Sequence, residues 1–312
     1  MKISYFPGHM TKALRMMSDE VKVVDLVIYV LDARAPASSV NPKFAEVIGN
    51  KPILYILNKA DMAEESATKE WQQYFGKLPN SQAVSLNSTM NNISKFLEPT
   101  IRKMLETKSK KYASKGVNPT FRAMVLGVPN SGKSTLINSL VGKYKAITGD
   151  RPGVTKGKQW IKMASGIELL DTPGTLWPSF DEPTTAKNLA YIGSIKDEVL
   201  DIGELALEFI KDISAIAPDA LTERYGVQFP SGEGCHEVTG CVSGAEIASF
   251  EGASGATRND IAVSIMEAIA KSRGFVTKGG EYDYERTARA ILDDFRKGRL
   301  GRITLEAVNA KR

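Results

Sequence analysis

The run Gly127-Val128-Pro129-Asn130-Ser131-Gly132-Lys133-Ser134 fits G-x-x-x-x-G-K-[ST], a spacing suited to holding a nucleoside phosphate. Its glycines let the backbone N–H groups of Asn130, Ser131, Gly132, Lys133, Ser134 and Thr135 close around phosphate oxygens. A helix opening at Lys133 adds the positive end of its dipole. Lys133 is expected to reach the β- and γ-phosphates and act in catalysis, with the Ser134 hydroxyl on Mg²⁺. The apolar run 123–127 before the loop and the helical pattern 133–141 after it supply the strand, loop and helix that this chemistry needs.

A phosphate loop does not choose a base, but Asn58-Lys59-Ala60-Asp61 does. A carboxylate only accepts hydrogen bonds, so Asp61 suits the two N–H groups on guanine's Watson–Crick edge. Adenine presents an acceptor there and is repelled. Asn58 is expected to add an amide hydrogen bond, and the Lys59 stem to cover the base face. Further along, Asp171-Thr172-Pro173-Gly174 fits D-x-x-G: Asp171 would hold Mg²⁺ through water, and the Gly174 N–H would sense the γ-phosphate. Pro152-Gly153-Val154-Thr155 lies where a switch threonine belongs, so Thr155 is the remaining Mg²⁺ ligand expected with GTP bound. Each short string alone is an ordinary turn; their order after the phosphate loop makes them a set.

The elements needed to position these residues are legible. Apolar runs at 26–31, 53–57, 82–85 and 123–127 read as strands, and 159–163 with 167–170 as a hairpin turning at Ser165-Gly166. Segments 64–75, 92–105 and 133–141 read as helices between them. The basic stretch 107–116 has no apolar periodicity and reads as a linker. Alternating strands and helices predict an α/β fold with a doubly wound, mostly parallel sheet. After Pro183 only helices are expected, at 186–200, 202–213, 260–272 and 284–298, with a Gly- and Ser-rich loop at 231–256. The expected division is an α/β domain over 1–180 and an all-α domain over 181–312.

The chain has 312 residues, 42% hydrophobic and 25% charged, which excludes global disorder. Net charge is +5 and unevenly spread: seven Lys/Arg face one acid over 102–122, and six face one over 296–312. Such clusters suit phosphate backbones or an anionic membrane; a solvated linker and tail is the plainer alternative. No signal-type apolar stretch opens the chain and no run approaches a membrane span, so a cytoplasmic protein without a membrane partner is expected. Cys235, His236 and Cys241 offer three metal ligands where structural zinc normally takes four.

The guanine motif precedes the phosphate loop, the reverse of the usual order. This arrangement resembles the circularly permuted GTPases. Tyr5-Phe6-Pro7-Gly8-His9-Met10, Asp32-Ala33-Arg34-Ala35-Pro36 and the motif spacings are similar to the ribosome biogenesis GTPase A family. Residues 1–180 carry most of the likeness, which resumes at 278–304, where Phe295-Arg296 and Gly298-Arg299-Leu300-Gly301-Arg302 resemble that family's C-terminal domain; 231–258 departs from it. The resemblance implies a P-loop GTPase that binds the large ribosomal subunit and its rRNA, promotes late assembly, and hydrolyses GTP to GDP and phosphate as a switch. A signalling switch on a protein or membrane partner is the alternative, and the absence of a lipidation motif weighs against it. The resemblance further implies a backbone guanine contact at Leu86 and Asn87, a K⁺ ion beside Asn130, and a monomeric state. Where many GTPases place a glutamine after D-x-x-G, this chain has Thr175, whose side chain is too short to hold the attacking water; the resemblance assigns that task to His9. Arg289–Arg302 is expected to touch rRNA, with Tyr284, Ala288, Ile291, Leu292 and Phe295 inward and Arg286, Arg289, Arg296 and Lys297 outward.

Overall fold

The computed structural model describes residues 8–117, 119–142, 159–163, 165–180, 182–227 and 257–308, apart from the side chains of His9 and Gln159. Thr155, the 5–7 segment, Cys235, His236 and Cys241 lie outside the described residues. Chain order is α1 (Gly8–Glu20), β1 (Leu26–Asp32), α2 (Lys43–Ile48), β2 (Ile53–Asn58), α3 (Glu65–Gly76), β3 (Ser81–Leu86), α4 (Ile93–Met104), α5 (Glu106–Ala113), β4 (Arg122–Leu126), α6 (Lys133–Val141), β5 (Gln159–Lys162) and β6 (Glu168–Asp171). Helices α7 (Pro183–Tyr191), α8 (Ile202–Ile216), α9 (Asp219–Tyr225), α10 (Arg258–Arg273) and α11 (Tyr284–Arg296) follow.

The six strands form one sheet in the order β3-β2-β1-β4-β6-β5. Every pairing is parallel except the β5–β6 hairpin. Pleating sends alternate residues of the fully buried β1 to opposite faces. Leu26, Ile28 and Val30 pack with Ile93, Leu97 and Ile101 of α4 and Leu136 and Leu140 of α6. Val27, Tyr29 and Leu31 pack on the other side with Met17 of α1, Phe44 of α2, and Trp71 and Phe75 of α3. The strand order reverses direction between β1 and β4, so a crevice opens at their carboxyl ends, where such sheets bind ligands.

Helices α7–α11 surround a third core, and this core is not confined to them. Val128, Leu176 and Trp177, from the loops after β4 and β6, are buried in the same cluster as Phe209, Ile291 and Phe295. The phosphate loop and the D-x-x-G segment are therefore packed against the helical part.

Four expectations need correction. Residues 107–116 are no plain linker: α5 spans Glu106–Ala113. It buries no residue and so leaves no apolar signature; Glu106–Lys110 at 2.6 Å and a Lys108–Asp25 pair support it instead. The helix expected at 186–200 stops at Tyr191, because Gly193 turns left-handed at φ +76° and the Ser194 N–H closes back on Leu189 O at 2.8 Å. Tyr284 is not a core residue: it is 44% exposed at the start of α11, its hydroxyl 2.6 Å from Glu267. Arg296 is not outward. Its guanidinium pairs twice with Asp197 at 2.8 Å and also donates to Ala190 O and Tyr191 O. It ties α11 to the end of α7 and has no donor fork left over for RNA.

Candidate functional site

The carboxyl ends of β1, β2, β4 and β6 bring four distant loops together. After β4, Gly127 sits so close to β1 that a Cβ would lie 2.4 Å from Val30 O. Gly132 takes φ +93° as the N-cap of α6, which starts at Lys133. Ser134 and Thr135 follow in the first turn, both half-buried, beneath a row of helix-terminal N–H groups.

Lys133 is buried, and its ammonium donates to Val128 O at 2.8 Å. Burial pulls its pKa down to about 8, against the raising effect of Asp171. With its pKa lowered toward 8, the Lys133 amine should be partly deprotonated near pH 8, and an entering phosphate should restore the full charge. GDP binding at pH 8 is therefore expected to take up a fraction of a proton. Calorimetry in buffers of different ionisation enthalpy measures this uptake; a value of zero would sink it.

Asp171 ends β6 beside Ser134, with 3.2 Å from the Ser134 Oγ to one carboxylate oxygen. Its other oxygen, Oδ1, is buried with no hydrogen-bond partner among the described residues, and burial raises the carboxyl's pKa against the pull of Lys133. A buried oxygen without a donor fits a hydrated hard cation better than an apolar packing role. Gly174 lies flush on the phosphate loop: a Cβ there would come within 2.7 Å of Pro129 Cα and 2.9 Å of Lys133 Nζ. The Ser131 and Thr175 hydroxyls are likewise buried without partners among the described residues.

On the base side, Asp61 stands exposed in a short turn, Ala60–Met62. Lys59 enters that turn left-handed at φ +59°, and its ammonium reaches Asp32 at 2.9 Å and Asn130 O at 2.7 Å. Asn58 is a brace as much as a base contact. Its amide nitrogen donates to Ser131 O at 2.7 Å, and its oxygen accepts from Ser88 N and Ser88 Oγ at 2.9 and 2.7 Å. A primary amide has a second N–H to offer a base. Leu86 is buried at the end of β3, paired in register with Asn58, and Asn87 follows with its side chain turned onto Thr89. Ser88 was invisible to motif reading, because nothing in its neighbourhood says that a residue thirty positions upstream needs two donors.

Asp32 is the second residue whose role motif reading missed. Burial would raise its carboxyl, yet Arg34 and Lys59 together hold it well below the usual carboxylate range. The Arg34 fork grips it at 2.9 and 2.8 Å, and its remaining nitrogen donates to Phe295 O at 3.0 Å. Asn130 donates to Gly193 O at 2.7 Å, and the Ser194 hydroxyl to Pro129 O at 2.7 Å. The turn after α7 thus holds the tip of the phosphate loop. The His9 side chain lies outside the described residues. Its neighbour Met10 is buried, with its sulfur 3.5 Å from the Leu176 N–H, which sets the start of α1 beside the D-x-x-G segment.

Residues 122–216 match the family model described as "50S ribosome-binding GTPase". The chain is 40% identical to ribosome biogenesis GTPase A of Bacillus cereus over 98% of its own length and 94% of that protein's. It is 31% identical to the Thermotoga maritima protein of the same name, over 97% of this chain and 94% of the other. The crystal structure of GNP-bound YlqF from T. maritima superposes with a TM-score of 0.60 at 26% identity, covering 95% of this chain and 98% of that one. The chain belongs to the ribosome biogenesis GTPase A family and hydrolyses GTP.

Proposed function

We propose that the protein binds the large ribosomal subunit during late assembly and uses GTP hydrolysis to change its hold on that particle. One observation carries the switch: Val128, Leu176 and Trp177 are buried in the core of helices α7–α11, so a change at the phosphates pulls directly on the helical part. The ribosomal partner is supported by the names of the family model and the relatives. Asn130, Ser131, Gly132, Lys133, Ser134, Thr135 and Gly174 would hold the phosphates. Asp61, Asn58, Lys59, Leu86 and Asn87 would hold guanine. Ser134, Asp171 and Thr155 would hold Mg²⁺, which offsets charge on the phosphates when bound; Asn130 is the residue that would take K⁺. A monomer in the cytoplasm completes this reading. Co-sedimentation with large subunits is expected to depend on whether GTP or GDP is present. Equal binding with either nucleotide would count against the switch.

Hydrolysis needs a group to orient water, since Thr175 points a buried hydroxyl inward and its carbonyl accepts from Asn41 at 3.1 Å. His9 is our choice, supported by Met10 packing at Leu176. His9→Ala is expected to slow single-turnover phosphate release at least about tenfold, the low end for losing one positioned acid–base group, while leaving nucleotide affinity nearly unchanged. An unchanged rate with the subunit present would remove His9.

We place the RNA-facing surface at α5 and the residues just after it rather than on α11. Beside Arg296, Arg289 pairs with Glu285, Lys297 with Asp293 and Arg299 with Asp294. By contrast, Lys111 and Lys115 have no acidic partner among the described residues. With Lys51, Lys108 and Tyr112 they line a cavity of about 690 Å³ at the amino ends of the strands, the pole opposite the nucleotide. Lys111→Glu with Lys115→Glu is expected to weaken subunit binding and to reduce its log–log salt slope by roughly one to two. GTP turnover without subunits should not change. Identical salt titrations for mutant and wild type would refute this placement.

A further inference from the structure

The guanine motif is not held by its own domain alone. Beyond α11 the chain turns at Gly298, where a Cβ would sit 2.9 Å from Met62 Cγ, and then runs along the turn that carries Asp61. Arg302 donates to Ala60 O at 3.1 Å and to Ala63 O at 2.8 Å. Ile303 N–H donates to Met62 O at 3.0 Å, and Glu64 N–H donates to Thr304 Oγ1 at 3.0 Å. Four backbone groups on either side of Asp61 therefore find their partners in residues 302–304. On the inner side, Leu305 N–H meets Arg34 O at 2.7 Å, and Arg34 holds the Asp32 carboxylate that Lys59 also grips. The segment is anchored further on by Glu306, a half-buried residue whose carboxylate accepts from Ala37 N at 2.7 Å, Asn188 Nδ2 at 2.9 Å and the Ser38 hydroxyl.

We propose that Arg302 and Thr304 are positioning residues for guanine recognition: the C-terminal segment 298–306 fixes the turn that aims Asp61 at the base. Asp61 itself is exposed, in a tight turn closed by Met62 N–H on Lys59 O at 2.9 Å. A carboxylate discriminates between bases only if it is held in place before the base arrives, because a mobile one loses in ordering what it gains in contact. The same contacts link guanine affinity to the placement of α11, so whatever moves that helix also moves the selectivity loop.

This inference rests on the reading of Asp61 as the guanine ligand, and the test separates the two. Affinities for GDP and for inosine diphosphate, which lacks the exocyclic amine, are measured on the full chain for wild type, Asp61→Asn, Arg302→Ala, Arg302→Lys and Thr304→Val. Asp61→Asn should abolish the preference for GDP; if it does not, the reading of the guanine site fails. Given that it does, Arg302→Ala should weaken GDP about tenfold and inosine diphosphate much less, shrinking the preference at least threefold. Arg302→Lys should recover part of it, since one ammonium reaches one carbonyl. Thr304→Val should shift the preference the same way by a smaller factor, and it serves if Arg302→Ala does not fold. A preference equal to wild type in these variants, or an equal fall for both nucleotides, overturns the proposal.

Discussion

Asp61→Asn is expected to cost about 10⁴ in GTP affinity with the fold intact, the scale set by sites that leave a mismatched polar group against their ligand. The carboxylate offers acceptors to two guanine N–H groups, one pair of which is charge-assisted. The amide removes the charge and can present an N–H toward guanine N1–H. Asp61 is exposed, and the hydrogen bonds that join the loops after β2, β3 and β4 are made by Asn58, Lys59 and Ser88. Titration with a fluorescent guanine nucleotide, beside a melting curve, reads both parts of the expectation. Near-wild-type GTP affinity that still excludes ATP would falsify the assignment of Asp61.

Gly132→Ala should also weaken nucleotide binding strongly, by a different route. At φ +93° an alanine costs about 1–2 kcal/mol of backbone strain. Its Cβ would also stand 2.2 Å from Asn58 Nδ2, inside any tolerable contact. Asn58 must then leave Ser131 O, and its hold on Ser88 goes with it, each such buried bond being worth about 1 kcal/mol or more. The phosphate loop and the guanine loops part together, so GDP and GTP should both weaken by about 10² or more. The effect should appear at equilibrium in the same titration. A variant that binds GDP as tightly as wild type would show that the Asn58 brace is dispensable.

The motifs that could be read from sequence share one property: their chemistry is local. Gly132 needs a left-handed φ one residue before a helix, Lys133 follows it, and Asp171 ends a short apolar run. Each demand is met within eight residues, so composition and spacing reveal it. The alternating faces of β1 were equally legible, because the pleat forces them. α5 escaped notice because a helix that buries nothing leaves no apolar period.

What tertiary structure alone decided is where the partners are. Arg296 and Arg302 look alike in sequence, two cations in a basic tail. Yet Asp197, 99 residues away, neutralises Arg296, and carbonyls 239 and 242 residues away hold Arg302. Arg34 meets the end of α11 across 261 residues, and Ser194 meets the phosphate loop across 65. A charge in a sequence carries no mark of whether its counter-charge is solvent, a ligand or another part of the chain. Only packing the helical core onto Val128 and Leu176 brings those groups within hydrogen-bonding distance, because desolvation there leaves no polar group without a partner at small cost.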